Sequence, residues 1–153
     1  MNRVIVCGGI DFRDRQMIAE TLELLPKKFG GRGFMLVHGD CKGADRLCGL
    51  WAEKHGVRVE TKLIDELQYA GMAAQILNRQ MLSLGADLVI AFPGGRSTEN
   101  MAELAEEAGV ELWRPGLWSA EEQIVFRRSR EELSMDVDDE VHEVFDIEVN
   151  FKL

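Results

Sequence analysis

Five short apolar runs, separated by stretches with helical spacing, set the tightest limit on what this chain can fold into. They read "RVIVC" (3–7), "FMLVH" (34–38), "VRVETKL" (57–63), "DLVIAF" (87–92) and "VELW" (110–113). The runs at 3–7, 34–38 and 87–92 are almost continuously apolar, as strands buried on both faces must be. The run at 57–63 alternates and belongs at an edge. Between the runs, a helix is expected from near Asp14, with Ile18, Leu22 and Leu25 on one face and a stop around Pro26. Others are expected over about 44–55 with Gly56 as terminator, over about 71–84 ending at Gly85, and over Glu99–Ala108. Strands alternating with helices imply crossover connections and a parallel sheet. The fold class is therefore α/β, a Rossmann-like open parallel sheet with flanking helices, built from residues 1–114. Open sheets of this kind bind ligands beyond the carboxyl ends of their strands, where strand order reverses.

Three strand exits share one character and should lie on one rim: "GGIDF" after the first strand, "GDCKGAD" after the second and "PGGRSTEN" after the fourth. In the last, Pro93 ends the strand, and Gly94 and Gly95 can take positive φ and let a ligand approach the backbone. Ser97 and Thr98 offer hydroxyls and can cap the following helix, whose first amides favour an anion. Arg96 adds a charged fork suited to phosphate. In "HGDCKGAD", Gly39 and Gly43 free the backbone, Lys42 supplies charge, and Asp45 can cap a helix or hold a ribose hydroxyl. His38 closes an apolar strand, where a hydrogen-bonded core histidine and a direct ligand contact both remain open. In the first loop, Gly8 and Gly9 make the turn, and Asp11 either holds a neighbouring loop or touches the ligand. Asn78 and Arg79 fall in mid-helix and matter only if that helix flanks the same rim. None of the loops is a GxGxxG or a GxxxxGK[ST], so the phosphate reading rests on their convergence.

Charge excludes some partners. The net charge of −9 is uneven: residues 119–153 carry 4 basic and 11 acidic side chains, the other 118 residues 14 and 16. Neither part has the basic excess that nucleic-acid binding by counterion release requires. No apolar run approaches the length of a membrane span, and "MNRVIVCGG" passes directly into a strand without a signal-peptide plan, which points to the cytoplasm. Cys7, Cys41 and Cys48 form no CxxC pair, and an odd number fits a reducing compartment. His38, His55 and His142 lack ligand spacing, so no metal is expected.

Residues 115–153 form an acidic C-terminal extension. Ser119 and Glu122 have the spacing of a capping box, so a helix should begin there. In "FDIEVNFKL", Phe145, Ile147, Val149, Phe151 and Leu153 alternate with polar residues, the pattern of a half-buried strand. A lone strand cannot bury that face, so it must pair with the sheet edge or with another subunit. The expectation is a homodimer or larger assembly.

The set "CGGIDF", "LVHGDCKGADRLCGLWAEKHGV", "NRQML" and "ADLVIAFPGGRSTENM" resembles the YspA-related branch of the SLOG superfamily over about residues 1–114. That superfamily groups Rossmann-like domains akin to the lonely-guy phosphoribohydrolases and to DprA. The resemblance implies a nucleotide or nucleotide-derived ligand and no required cofactor. It also offers two further readings: a nucleotide-processing hydrolase and a DprA-like single-strand binder. The lonely-guy enzymes use a PGGxGTxxE motif with an upstream arginine, for which Arg79 is the counterpart. Here the motif runs from Pro93 to Met101, with Ser97 at a glycine position and Met101 at the acid position. If the chain is an enzyme, the resemblance leaves Arg79, Glu99 and Glu103 as its candidates. Where the family has "GGARGAD" this chain has "GDCKGAD", so Asp40 also departs from the pattern.

Overall fold

The computed structural model describes residues 1–62 and 72–117. Its elements are β1 (Asn2–Cys7), α1 (Arg15–Leu22), α2 (Leu25–Lys28), β2 (Phe34–His38), α3 (Ala44–Lys54), β3 (Arg58–Thr61), α4 (Ala73–Ser83), β4 (Leu88–Ala91), α5 (Arg96–Glu107) and β5 (Leu112–Trp113). A short 3-10 turn, Pro115–Leu117, follows. The strands form one sheet in the order β3-β2-β1-β4-β5, and every pairing is parallel. The alternating run lies at the edge, as its pattern requires.

Period-two geometry splits the core into two layers. Val4 and Val6 of β1, Leu36 of β2 and Leu88 and Ile90 of β4 face α1, α2 and α3, packing with Ile18, Leu22, Leu25, Cys48 and Trp51. Ile5, Val37 and Val89 face the other way, against Leu77 and Met81 of α4 and Met101 and Ala105 of α5. The result is a sheet with helices on both sides, the α/β architecture that the sequence implies.

Local chemistry sets most of the boundaries. The Asp14 carboxylate caps α1 by accepting from Met17 N at 3.1 Å. Pro26 falls in the first turn of α2, where its missing N–H costs no helical hydrogen bond. Helices α3, α4 and α5 each give way to a glycine at positive φ: Gly56, Gly85 and Gly109.

Two boundaries differ from the sequence reading. The first helix ends at Leu22, and Pro26 opens α2 instead of stopping a helix that reaches Leu25. Helix α5 starts at Arg96 rather than Glu99, with Gly95 at its cap and no side-chain capping bond. Ser97 and Thr98 therefore lie inside the first turn and cap nothing. Gly94 packs tightly on the first loop, which brings Gly95 to the helix entrance earlier than the hydroxyl residues suggest. The helix expected from Ser119 and the strand expected over 145–153 lie outside the described residues. Among the described residues no helix is long and apolar enough to cross a membrane.

Candidate functional site at the strand switch point

The strand order places the reversal between β1 and β4. From β1 the chain winds outward through β2 and β3; β4 and β5 then continue on the other side. The loop leaving β1 runs to α1 on one face of the sheet, while the loop leaving β4 runs to α5 on the other. Open sheets of this kind form a crevice at such a divergence, here above the carboxyl ends of β1 and β4. "CGG" and "PGG" are the segments that leave those two strands.

The three rim loops are tied together through backbone groups. Gly9 N donates to Pro93 O at 2.8 Å, and Gly9 O accepts from Ala44 N at 3.2 Å and from Phe12 N at 3.2 Å. One residue thus joins the first loop to the start of α3 and to the exit of β4. The glycines there are required by contact with one another. A Cβ on Gly8 would lie 2.5 Å from Ala44 Cβ, and one on Gly94 would lie 2.6 Å from Gly9 N and 2.9 Å from Gly8 C. Gly43, at φ +79°, leaves no room for a Cβ beside the carbonyls of Gly9 and Ile10. The floor of the crevice is therefore bare backbone. Gly94 and Gly95 do not take positive φ, so their part differs from the one read in the sequence. Gly94 is small because the first loop and Thr98 press on it. A Cβ on Gly95 would meet nothing within 4 Å, so this residue faces open space.

Above this floor the first turn of α5 opens. The first bond within that helix is Glu99 N to Gly95 O at 3.0 Å, so the amides of Arg96, Ser97 and Thr98 precede it and need partners from outside the helix. Pro93, Gly94, Gly95, Arg96 and Ser97 are all exposed, whereas Thr98 is buried beneath Gly94. Arg96 and Lys42 are exposed, and no described residue forms an ion pair with either. A helix start whose first amides lack helical partners, with the exposed Arg96 in its first turn, is chemistry suited to an anion.

The second loop is held from within. The buried Asp45 carboxylate accepts from Gly39 N at 3.0 Å and from Cys41 N at 3.2 Å through a single oxygen, Oδ2. Burial pushes this carboxyl up to about 6; the two backbone donors oppose that rise and the Asp40 charge adds to it. Asp45 does not cap α3, whose cap is Gly43 without a side-chain bond. His38 is buried, and its Nδ1 accepts from Asp40 N at 2.9 Å. That bond fixes the neutral ring with its proton on Nε2, and burial lowers the imidazole's proton affinity further despite the Asp40 charge. It behaves as the hydrogen-bonded core histidine. Asp40 itself sits at φ +58°, the left-handed region where the family pattern has glycine and where Asp is among the better-tolerated side chains.

Helix α4 does flank the rim. Leu77 Cδ2 would lie 3.0 Å from a Cβ on Gly39, and the buried Asn78 donates through Nδ2 to Ser97 O at 2.9 Å and to Asn100 Oδ1 at 3.1 Å. Arg79, the next residue, is exposed. Asp11 is exposed at the tip of the first loop. Glu99 forms an ion pair with Arg114, and Glu103 is exposed a turn further along α5. Met101 is fully buried in the core with Ile5, Leu77 and Val89.

Two contributors carry no signal in the sequence. Arg114 reaches Glu99 from beyond β5, and Gly116 packs so closely on the Pro93 ring that a Cβ would overlap it. Neither stands in a motif, and the contacts exist only because β5 ends beside β4. The cysteines offer no nucleophile: burial first, and the Asp45 charge second, raise the thiols of Cys7, Cys41 and Cys48. Among the described residues no group of three or more His, Cys, Asp or Glu is placed to hold a metal ion. A cavity of about 360 Å³ opens elsewhere, lined only by residues of α1 and α3 such as Ile18, Leu47 and Trp51. It receives nothing from the rim loops.

A five-stranded parallel sheet with helices on both faces defines a Rossmann-like domain. The model of the YspA, cpYpsA-related SLOG family matches residues 2–68 of the chain. The chain is also similar to the gene 61 protein of Mycobacterium phage D29, with 32% identity over 119 residues that cover 72% of this chain and 93% of that protein. The protein belongs to the YspA, cpYpsA-related SLOG family. Membership supports a nucleotide-related function in the broad sense.

Proposed function

We propose that the protein binds a nucleotide or nucleotide-derived small molecule in the switch-point crevice, as a sensor, carrier or sequestering protein. The observation that carries this reading is the start of α5, where the amides of Arg96, Ser97 and Thr98 precede the first helical bond, and where Gly94 packs against Gly8 and Gly9. A phosphate group fits that setting because its oxygens can accept from these amides while Arg96 and Lys42 balance its charge. Met101 favours a binder over a hydrolase of the lonely-guy type. At the acid position it presents a thioether packed in the core, with no proton to manage and no charge to stabilise an oxocarbenium-like centre.

Calorimetric titration with a panel of nucleoside mono-, di- and triphosphates and dinucleotides tests the proposal. At least one should bind, and Arg96→Ala and Lys42→Ala should each weaken it by about 1–3 kcal/mol. Both side chains are exposed, so the variants should fold as the parent does. Unchanged affinity in both would move the site away from these loops.

A further inference from the structure

Asn78 is an odd residue for its position. It lies in the middle of α4, between Leu77 and Met81, and is 4% exposed, beside the apolar layer that α4 and α5 pack on the sheet. Packing and helix propensity alone would favour leucine there, because a buried amide loses water and gains only what its hydrogen bonds return. Its amide nitrogen donates twice, to Ser97 O and to Asn100 Oδ1. The Ser97 oxygen belongs to the peptide whose other end is the Thr98 N–H, one of the amides that precede the first bond of α5. A donor on the oxygen of a peptide polarises the N–H at its opposite end, and hydrogen bonds in series strengthen one another in a low-dielectric setting.

We propose that Asn78 is a positioning residue for the anion-accepting turn, acting through the Ser97 carbonyl and not by touching the ligand. This rests on the function proposed above. Asn78 then sets where the first turn of α5 stands relative to the glycine floor and raises the donor strength of the 97–98 peptide. Asn100 shares the network without bonding the Ser97 carbonyl, so it serves as an internal control.

The experiment compares the wild type with Asn78→Leu and Asn100→Ala, using inorganic phosphate and AMP as probes. Affinities come from calorimetry, and amide shifts from nitrogen–proton correlation spectra. Asn78→Leu should weaken both probes alike by about tenfold, the worth of one buried hydrogen bond, and should shrink the phosphate-induced shifts of the Ser97 and Thr98 amides. Asn100→Ala should lower the melting temperature but keep affinity within about twofold, since the Ser97 bond survives. Wild-type affinity in Asn78→Leu, or an equal loss in Asn100→Ala, would show that the network only supports the fold. Should Asn78→Leu fail to fold, the wild-type spectrum still decides: phosphate that moves other rim amides but leaves Ser97 and Thr98 still overturns the assignment. If phosphate and AMP move no rim amide and give no heat, the assignment of Asn78 falls, whereas the proposed function falls only when the whole nucleotide panel fails to bind.

Discussion

Two adjacent glycines should respond to substitution in opposite ways. Gly94 is enclosed by backbone: a Cβ there would lie 2.6 Å from Gly9 N and 2.9 Å from Gly8 C, besides meeting the Thr98 hydroxyl. Backbone cannot swing aside as a side-chain tip can, so Gly94→Ala must separate the loops that leave β1 and β4 or strain both. Overpacking of this kind costs about 3 kcal/mol, which lowers the melting temperature by about 6–12 °C in a domain of this size. Gly95 has nothing within 4 Å of a Cβ and holds φ −97°, which a side chain accepts. Gly95→Val should therefore fold, at a cost of about 1 kcal/mol for the poorer cap residue. Its isopropyl group would stand where a phosphate must approach the α5 amides. Losing two hydrogen bonds to a charged group, at about 1.5–3 kcal/mol each, weakens binding by about 100-fold or more. Thermal melting without ligand, paired with calorimetry on whichever nucleotide binds the parent best, reads both halves. Parental affinity in a folded Gly95→Val would refute the placement of the ligand at this turn. A Gly94→Ala protein as stable as the parent would refute the contact argument from which the floor is built.

Two further outcomes follow from buried groups. Asp45 ionises at about 6 in the fold against 3.8 ordinarily, so between these pH values the native protein keeps a proton that the unfolded chain releases. Its contribution to stability therefore falls by about 3 kcal/mol as pH rises from about 4 to 6, then stays level. Urea unfolding at several pH values should show that slope in the parent relative to Asp45→Asn, and a difference constant with pH would refute it. AMP incubated with the protein should release base slowly or not at all, as followed by chromatography, because Met101 occupies the acid position inside the core. Robust release would make Glu99 or Glu103 the candidate acid.

The sequence by itself determined the class of the fold and the rim at which the glycine-rich strand exits gather. Nearly continuous apolar runs at 3–7, 34–38 and 87–92, too short for helices, fit strands covered on both faces, and the alternation at 57–63 marks an edge, because these patterns are local. The glycine-rich exits were legible for the same reason: composition at a strand end is read one residue at a time. What each glycine does was not legible, since it depends on residues far away in the chain. Gly94 owes its size to Gly8 and Gly9, while Gly95, one position on, owes nothing to any neighbour. Asp45 reads as a cap or a ribose ligand, yet the turn of its own loop brings the amides of Gly39 and Cys41 onto its carboxylate. Asn78 reads as a mid-helix polar residue until α4 and α5 pack and set it against the Ser97 carbonyl. The pairing of Arg114 with Glu99 likewise needs β5 to lie beside β4. Tertiary structure alone decided these partners, because a contact between distant segments is fixed by how the layers pack and leaves no period in the chain to read.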